Sequence, residues 1–594
     1  MGYGAHLGNR RFLRNVGSGS KMTRRGTMTH PTPISPQTAI RSAQPNRLAT
    51  IGRRIVTTAI AAVMAVALAA CGGANASIAT GQPTVPSETG AKTSTGTPVK
   101  DLKIASASAV STLSVNQEAG SANYQLAALY QEGLTGVDAT GKVIPALAEK
   151  WSSTDNKTWV FDLRQGVKLH DGSTLTTDDV IDSINTARDA TLSPGLSVYW
   201  PDYVDKVEKT GDAQITITLK TPQSEFPTQV SNVAGLFVTS KAFRESAGSD
   251  YGSASKLIVG TGPYKVTEFD PSSHVSLEKF KDYWGTNDGP DTVRVDFITE
   301  DSTRLLAFQN GTVDASFNVP VTSVAQWSQN GSNVTAYSDR SYYGLTFDQG
   351  VKPFDDIHVR KAISYALDKE GIVKGVLKGY GEVATGIDSP EQLAGWTNNS
   401  KDEAAKKVAD LGALSYSIDQ AKSEIAQSSQ PSGFSTTLTY PTGYPAVGQA
   451  SLALADSLKQ IGVTLDVKEI PLEQWLSEVG NGKQGVAWMI YNPTTPQPNE
   501  VTSWLLAAGG AGANPANWTD ADVAAQTDKI GTLTDPSEKL QIVLDTTKTA
   551  LEQDIYSPVY WGKAAVATKK GLGLKGVDTF WLGTNWAADF VEQQ

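Results

Sequence analysis

A single cysteine, Cys71, divides this chain of 594 residues into two unlike parts. It closes the run Val66-Ala67-Leu68-Ala69-Ala70-Cys71. The stretch from Ile55 to Ala70 is apolar apart from Thr57 and Thr58, and Arg53 and Arg54 precede it. No cysteine follows. The body beyond Cys71 therefore has no intrachain disulfide and no thiol chemistry. Its length suggests roughly three domain-sized units.

A basic flank, an apolar centre and a run of small residues make a signal sequence over residues 51–70. The apolar run is shorter than the roughly twenty residues a membrane-spanning helix needs. Leu68-Ala69-Ala70-Cys71 resembles a bacterial lipobox. That implies cleavage before Cys71, lipid attachment to its sulfur and a mature protein held on the outer face of the cell membrane. Residues 1–50 are rich in Arg, Ser, Pro and Thr and are expected to be disordered or an untranslated extension, with Met22 or Met28 as the true start. Asn9-Arg10-Arg11-Phe12-Leu13 resembles a twin-arginine export signal but lies too far from the apolar run to act as one. Residues 71–100 are mostly Gly, Ala, Ser, Thr and Pro, too poor in large apolar side chains to fold. They read as a flexible tether.

Residues 1–70 carry ten Lys and Arg and no acid. Removing them from the totals of 51 basic and 61 acidic residues leaves 41 against 61, a formal charge near −20. So acidic a body is unsuited to nucleic acid, whose phosphates need a basic face. It is equally unsuited to electrostatic attachment to anionic lipid, and the charge keeps a secreted chain soluble.

Strand and helix periods alternate along the body. Trp159, Phe161 and Leu163 alternate with more polar neighbours, as do Ile215, Ile217 and Leu219, and Val293, Val295 and Phe297; each predicts a strand with one buried face. Thr176 and Asp179 predict a capping box before an apolar face of Val180, Ile181, Ile184 and Ala187. Val359, Ala362, Ile363, Ala366 and Leu367 share a helical face, with Asp356 as cap. Leu454, Ala455, Leu458 and Ile461 form another, stopped by Gly462, and Val463, Leu465 and Val467 follow as a strand. The alternation predicts an α/β body.

Several segments, taken in order, resemble the extracytoplasmic solute-binding proteins of ABC importers, in the oligopeptide, dipeptide and nickel-binding family. They are Leu129-Tyr130-Gln131-Glu132-Gly133-Leu134, the stretch Gly141 to Trp151, Trp159 to Arg164, Val167 to Gly172, and Thr177-Asp178-Asp179-Val180. Gly260-Thr261-Gly262-Pro263-Tyr264 follows, then Asp282-Tyr283-Trp284-Gly285, Asn310 to Asp314, and Phe354 to Ala362 leading into Tyr365-Ala366-Leu367-Asp368. Read physically, most of these are scaffold. Gly260 and Gly262 with Pro263 make a tight turn and not a phosphate cradle. His170 and Asp171 are turn hydrogen-bonders. Arg360 and Asp368, two turns apart on one helix, are solvated or structurally paired.

The resemblance implies a two-lobed periplasmic-binding-protein-like fold of the large class. Lobe I spans 101–345, with an inserted subdomain at about 144–255. Lobe II spans 346–555, and 556–594 return to lobe I. Ligand is enclosed between the lobes, and closure couples to binding. The implied function is a membrane-anchored receptor that captures an oligopeptide or peptide-like solute and delivers it to the transmembrane subunits of an ABC permease. It would act as a monomer, without a cofactor.

No catalytic constellation competes well. His170, His274 and His358, the body's only histidines, are scattered, and no metal-ligand spacing appears. Ser253-Ala254-Ser255-Lys256 and Lys209-Thr210-Gly211 fit the short patterns of a penicillin-binding-type serine enzyme, but in the wrong order. In peptide binders of the family a Trp-x-x-Asp segment gives a carboxylate to the peptide amino terminus. Here Val486 to Pro493 keeps Trp488 but has Tyr491 at the acid's position. A buried ammonium needs a paired anion, so an oligosaccharide receptor of the same fold is the alternative. Trp200, Tyr342, Tyr343, Trp488, Tyr491, Trp504 and Trp518 supply aromatic faces for either ligand. The expected contacts are Trp488, Tyr491 and Asn492, then Tyr342 and Trp504.

Overall fold

The computed structural model describes residues 96–197, 200, 203–481, 484–506 and 515–593. The extension, the signal sequence, Cys71 and nearly all of the tether lie outside the described residues. Among the described residues, no helix is long and apolar enough to cross a membrane.

The alternating segments are strands. Thr158–Leu163 buries Trp159, Phe161 and Leu163, and Gln214–Leu219 buries Ile215, Ile217 and Leu219. The two pair antiparallel in the middle of a four-stranded sheet, flanked by Ala148–Ser152 and Val204–Gly211. The helix Thr177–Arg188 opens on a reciprocal cap: Thr176 Oγ1 accepts from Asp179 N at 3.2 Å, and the Asp179 carboxylate accepts from Thr176 N at 2.9 Å. Pro445–Lys459 is the helix carrying Leu454, Ala455 and Leu458. Gly462 follows it with φ +78°, a conformation glycine adopts freely. The helix joins the strands Ser435–Pro441 and Thr464–Ile470, which pair in parallel.

One expectation is corrected. The helix Ile357–Tyr365, capped by Asp356, ends before Leu367, and Asp368 caps a separate turn, Lys369–Gly371. Arg360 and Asp368 therefore share no helix. Arg360 is buried, not solvated: it donates to the carbonyls of Phe354 (2.8 Å), Gln553 (2.8 Å) and Asp554 (3.2 Å). Those three acceptors offset the desolvation of its charge.

A nine-stranded sheet runs through the molecule. Its order is Val486–Tyr491, Asn333–Phe347, Tyr556–Thr568, Ala315–Ser316, Asp101–Ser106, Thr292–Phe297, His274–Lys279 and Tyr264–Asp270, with Gly381–Val383 also paired to Tyr556–Thr568. The two longest strands, Asn333–Phe347 and Tyr556–Thr568, run antiparallel beside each other. Buried apolar residues fall into separate clusters along them. One large cluster gathers residues between Val99 and Phe317 with Val566, Leu572, Trp581, Trp586 and Phe590. Two others gather residues between Tyr342 and Trp561. The long strands thus start in one core and end in others.

Candidate ligand cleft

The long strands shift register at two points, and the larger break is a bulge. Ser338 opposes Lys563 and Tyr342 opposes Trp561, so Asp339, Arg340 and Ser341 stand against the single residue Gly562. Such a bulge re-aims side chains out of the pleat. Arg340 takes φ +58°, a left-handed conformation uncommon for a non-glycine residue. Only glycine fits opposite: a Cβ at Gly562 would lie 2.1 Å from Ser341 Oγ and 2.9 Å from Asp339 Oδ1.

The bulge forms one wall of a cavity of about 190 Å³. Ser121, Tyr124 and Gln125 on the helix Ser121–Tyr130 line it, with Asn318, which is also left-handed at φ +52°. Asn492, Pro493 and Thr494 face them from beyond the strand Val486–Tyr491, and Thr579, Phe580, Leu582 and Gly583 complete it. The lining thus comes from both sides of residue 345.

Arg340 organises the far wall. Its guanidinium lies 3.9 Å over the Phe580 ring, and it donates to the carbonyls of Thr495 and, at 3.3 Å, Pro493. Burial lowers its pKa to about 10, against the attraction of Glu500 and Asp339. It remains charged at neutral pH. Phe580 owes its place partly to Gly141. That residue has φ +93°, and a Cβ there would sit 2.4 Å from the ring. Glu500 fixes the segment Asn492 to Thr495. Its carboxylate accepts from Tyr491 Oη (3.1 Å), Thr494 N (2.9 Å), Thr494 Oγ1 (3.2 Å), Thr495 N (2.8 Å) and Thr495 Oγ1 (2.6 Å). Asp339 Oδ1 accepts from the N–H (3.0 Å) and hydroxyl of Ser341, and burial raises this carboxyl above its ordinary range.

The expected contact residues separate. Asn492 lines the cavity. Tyr491 and Trp504 pack on each other at 5.4 Å beside it, with the tyrosine hydroxyl on Glu500. Trp488 is fully buried in an apolar core, and its indole N–H donates to Ser451 Oγ at 2.8 Å. Tyr342 is fully buried in another core. Neither is among the cavity's lining residues. Asp339, Arg340, Thr494, Phe580 and Glu500 went unnoticed in the sequence. The signal was present for the first two: Ser338-Asp339-Arg340-Ser341 interrupts an otherwise aromatic strand. Among the described residues, no flat aromatic platform floors the cavity. Arg340 covers one face of Phe580, Tyr124 meets Phe237 edge-on, and Tyr337 meets Trp581 edge-on.

The serine-enzyme pattern forms a turn. Ser253 Oγ lies 3.0 Å from Ser255 Oγ and accepts from Lys256 N at 3.3 Å. His170 is buried, its ring on the carbonyl of Gly262 and the amide of Gly260, and burial lowers its pKa to about 4. Among the described residues, no group of three His, Cys, Asp or Glu side chains has metal-binding geometry.

A second junction lies away from the cavity. Lys539, 2% exposed, donates to Ser224 Oγ at 2.8 Å and pairs with Glu225; its ammonium is 5.6 Å from the Trp396 ring. The backbone N–H of Ser224 donates to the carbonyl of Gly531 at 3.3 Å.

Residues 142–513 match the family model described as bacterial extracellular solute-binding proteins, family 5 Middle. A dipeptide-binding protein of Escherichia coli (strain K12) is 27% identical over 409 residues, covering 64% of this chain and 73% of its own length. The glutathione-binding protein GsiB of Salmonella typhimurium is 27% identical over 493 residues, covering 80% and 91%. The solved dipeptide-binding protein of Pseudoalteromonas sp. SM9913, in complex with Met-Leu, superposes with a TM-score of 0.69. It shares 21% identity, over 83% of this chain and all of that one.

Proposed function

The chain belongs to the bacterial extracellular solute-binding proteins, family 5, and on that premise we propose that its cavity takes a peptide-like solute for delivery to an ABC permease. The observation that carries the reading is a cavity lined from both sides of residue 345 and walled by the strands that link the separate cores. A ligand touching both walls favours the state in which they are close, by its affinity difference between the states. The polar lining (Gln125, Asn318, Asn492, Thr494) offers paired donors and acceptors of the kind a peptide group satisfies. The similar proteins named for dipeptide and glutathione binding support the same ligand class.

The lobes are taken as 101–345, with the subdomain at about 144–255 inserted, and 346–555, with 556–594 returning to the first. The chain acts as a binder and not an enzyme, and stands on the membrane through lipid on Cys71 and the tether. Replacement of Cys71 by serine should move it from the membrane fraction to the medium. The binding test is intrinsic fluorescence and melting temperature against libraries of short peptides and of oligosaccharides. A peptide held at a hundred times its Kd stabilises by about 2.7 kcal/mol, enough to raise the melting temperature measurably. Failure of every small solute to shift either signal would sink the receptor reading.

A further inference from the structure

We propose that the solute is held in two cavities: its backbone fills the one at the bulge, and an uncharged apolar side chain enters a second, further along the helix Ser121–Tyr130. The inference rests on the solute reading above and names the side-chain chemistry that such a solute carries.

The second cavity also measures about 190 Å³. Ser121, Tyr124 and Gln125 line the first, and the same stripe of the helix continues into the second through Ala128 and, just past the helix end, Glu132. Val233 lines the first, Asn232 the second, and Gly583 both. The partition is thin at that glycine: a Cβ on Gly583 would lie 2.4 Å from Val233 Cγ1. Across it Asn232 Nδ2 donates to the Gly583 carbonyl at 3.4 Å, longer than the usual N–H···O bond. Parting that weak contact joins the two cavities.

The lining selects the occupant. Ala128, Val137, Ile144, Pro145, Ala146 and Pro263 give the second cavity an aliphatic wall. Among the described residues lining it, Glu132 is the only charged one, and its charge is met inside the protein. One carboxylate oxygen accepts from Tyr283 Oη at 3.0 Å and the other from Trp284 Nε1 at 2.9 Å. The Arg164 guanidinium lies 4.2 Å over the Trp284 ring and attracts the same carboxylate. An ammonium would compete with donors already in place, and a carboxylate would be repelled. A hydrocarbon chain gives up no hydrogen bond and removes apolar surface from water. Thr584 Oγ1 donates to the Trp581 carbonyl at 2.7 Å and Asn585 Nδ2 to Asn287 Oδ1 at 3.0 Å. Asn585 Oδ1 is buried without a donor, which leaves an acceptor for a backbone N–H of the solute beside the shared glycine. An apolar cavity of about 150 Å³ takes a benzene ring, so the second cavity has room for a leucine side chain.

The experiment titrates tripeptides calorimetrically into the full chain. Each position in turn carries alanine, leucine, lysine or glutamate, with alanine at the other two. A buried methylene is worth about fourfold in affinity. At one position leucine should therefore bind at least about tenfold more tightly than alanine, and more tightly than lysine or glutamate. Ala128→Leu fills the second cavity from the helix and should bring the leucine-to-alanine ratio at that position close to one. Ala146→Leu fills it from the opposite wall and serves if the first variant does not fold. Equal affinity for leucine and alanine at every position overturns the inference while leaving the solute reading intact, and this comparison needs no variant. Tighter binding of lysine than of leucine overturns it, as does a leucine preference that survives in a folded variant. Binding of no tripeptide, with no response in the wider library, overturns the solute reading and this inference with it.

Discussion

The molecule joins its parts in two places, and they are built differently. At the linking strands the connection is backbone: ladder pairs run from Asn333 opposite Thr568 to Thr346 opposite Tyr556, broken only at the bulge and one smaller irregularity. Across the other junction it is mostly side chain: Lys539 meets Ser224 and Glu225, with one backbone hydrogen bond at Gly531. The first is covalently continuous and cannot come apart. The second is a buried lysine whose partner, Glu225, is 37% exposed, so separation leaves both charges in water and not stranded in a core. One junction is a continuous backbone ladder and the other a set of side-chain contacts that can part without breaking a strand.

The strongest way to break this comparison is at the permanent junction. Arg340→Ala strips the carbonyls of Pro493 and Thr495 of their donor and uncovers Phe580. It should cost about 3 kcal/mol in chemical denaturation, the scale of breaking a buried charged network. A loss below about 1 kcal/mol would mean that the bulge does not depend on it. Gly141→Val acts one contact further out. A β-branched residue at φ +93° is strained, and its Cβ would drive Phe580 from under the guanidinium. About 2 kcal/mol of destabilisation, with weakened ligand binding, is expected.

Protonation sharpens the contrast between core and cleft. Burial raises Glu132 to about 7, although Tyr283 and Trp284 both donate to it, and burial likewise raises Asp388 and Asp589 to about 7. A carboxyl whose folded pKa is raised contributes stability present below its unfolded value near 4, and that stability is lost as pH rises through about 7. His170 acts in the opposite sense: its depressed pKa contributes stability above about 6.5 that is lost as pH falls towards about 4. With these three carboxyls and Asp554, which burial raises to about 6, against one imidazole, the melting temperature should fall between about pH 5 and pH 7.5. Glu132→Gln should flatten that slope by about 1–2 kcal/mol. An unchanged slope would exclude Glu132 as a contributor.

The smallest effect belongs to the releasable junction. Lys539→Met keeps the stem against Trp396 and removes the ion pair. Global stability should change by less than about 1 kcal/mol, while ligand affinity falls severalfold because the closed state is less favoured. A large loss of stability with unchanged affinity would make Lys539 part of a static core.

The fold was readable because its signals are local. The period of two in Trp159 to Leu163, the cap at Thr176 and the glycine stop at Gly462 each depend on a few neighbouring residues. The helix end at Tyr365 was not, since Leu367 continues the helical face while Asp368 prefers to cap the next turn. The cleft was readable only in part, because alternation along Val486–Tyr491 does not tell which face meets ligand and which meets core. Trp488 went to the core, where Ser451 takes its N–H, and Asn492 fell at the cavity. Asp339 depends on a register shift against Gly562, more than two hundred residues away, and no local period reports that.

The interrupted ladder has one more consequence. If the pairings on both sides of Gly562 persist, any swing of the jaws is confined to the three unpaired residues, and the molecule moves like a door on one pin. A single distance measured across the mouth, between labels near Glu225 and Lys539, would then chart its whole trajectory.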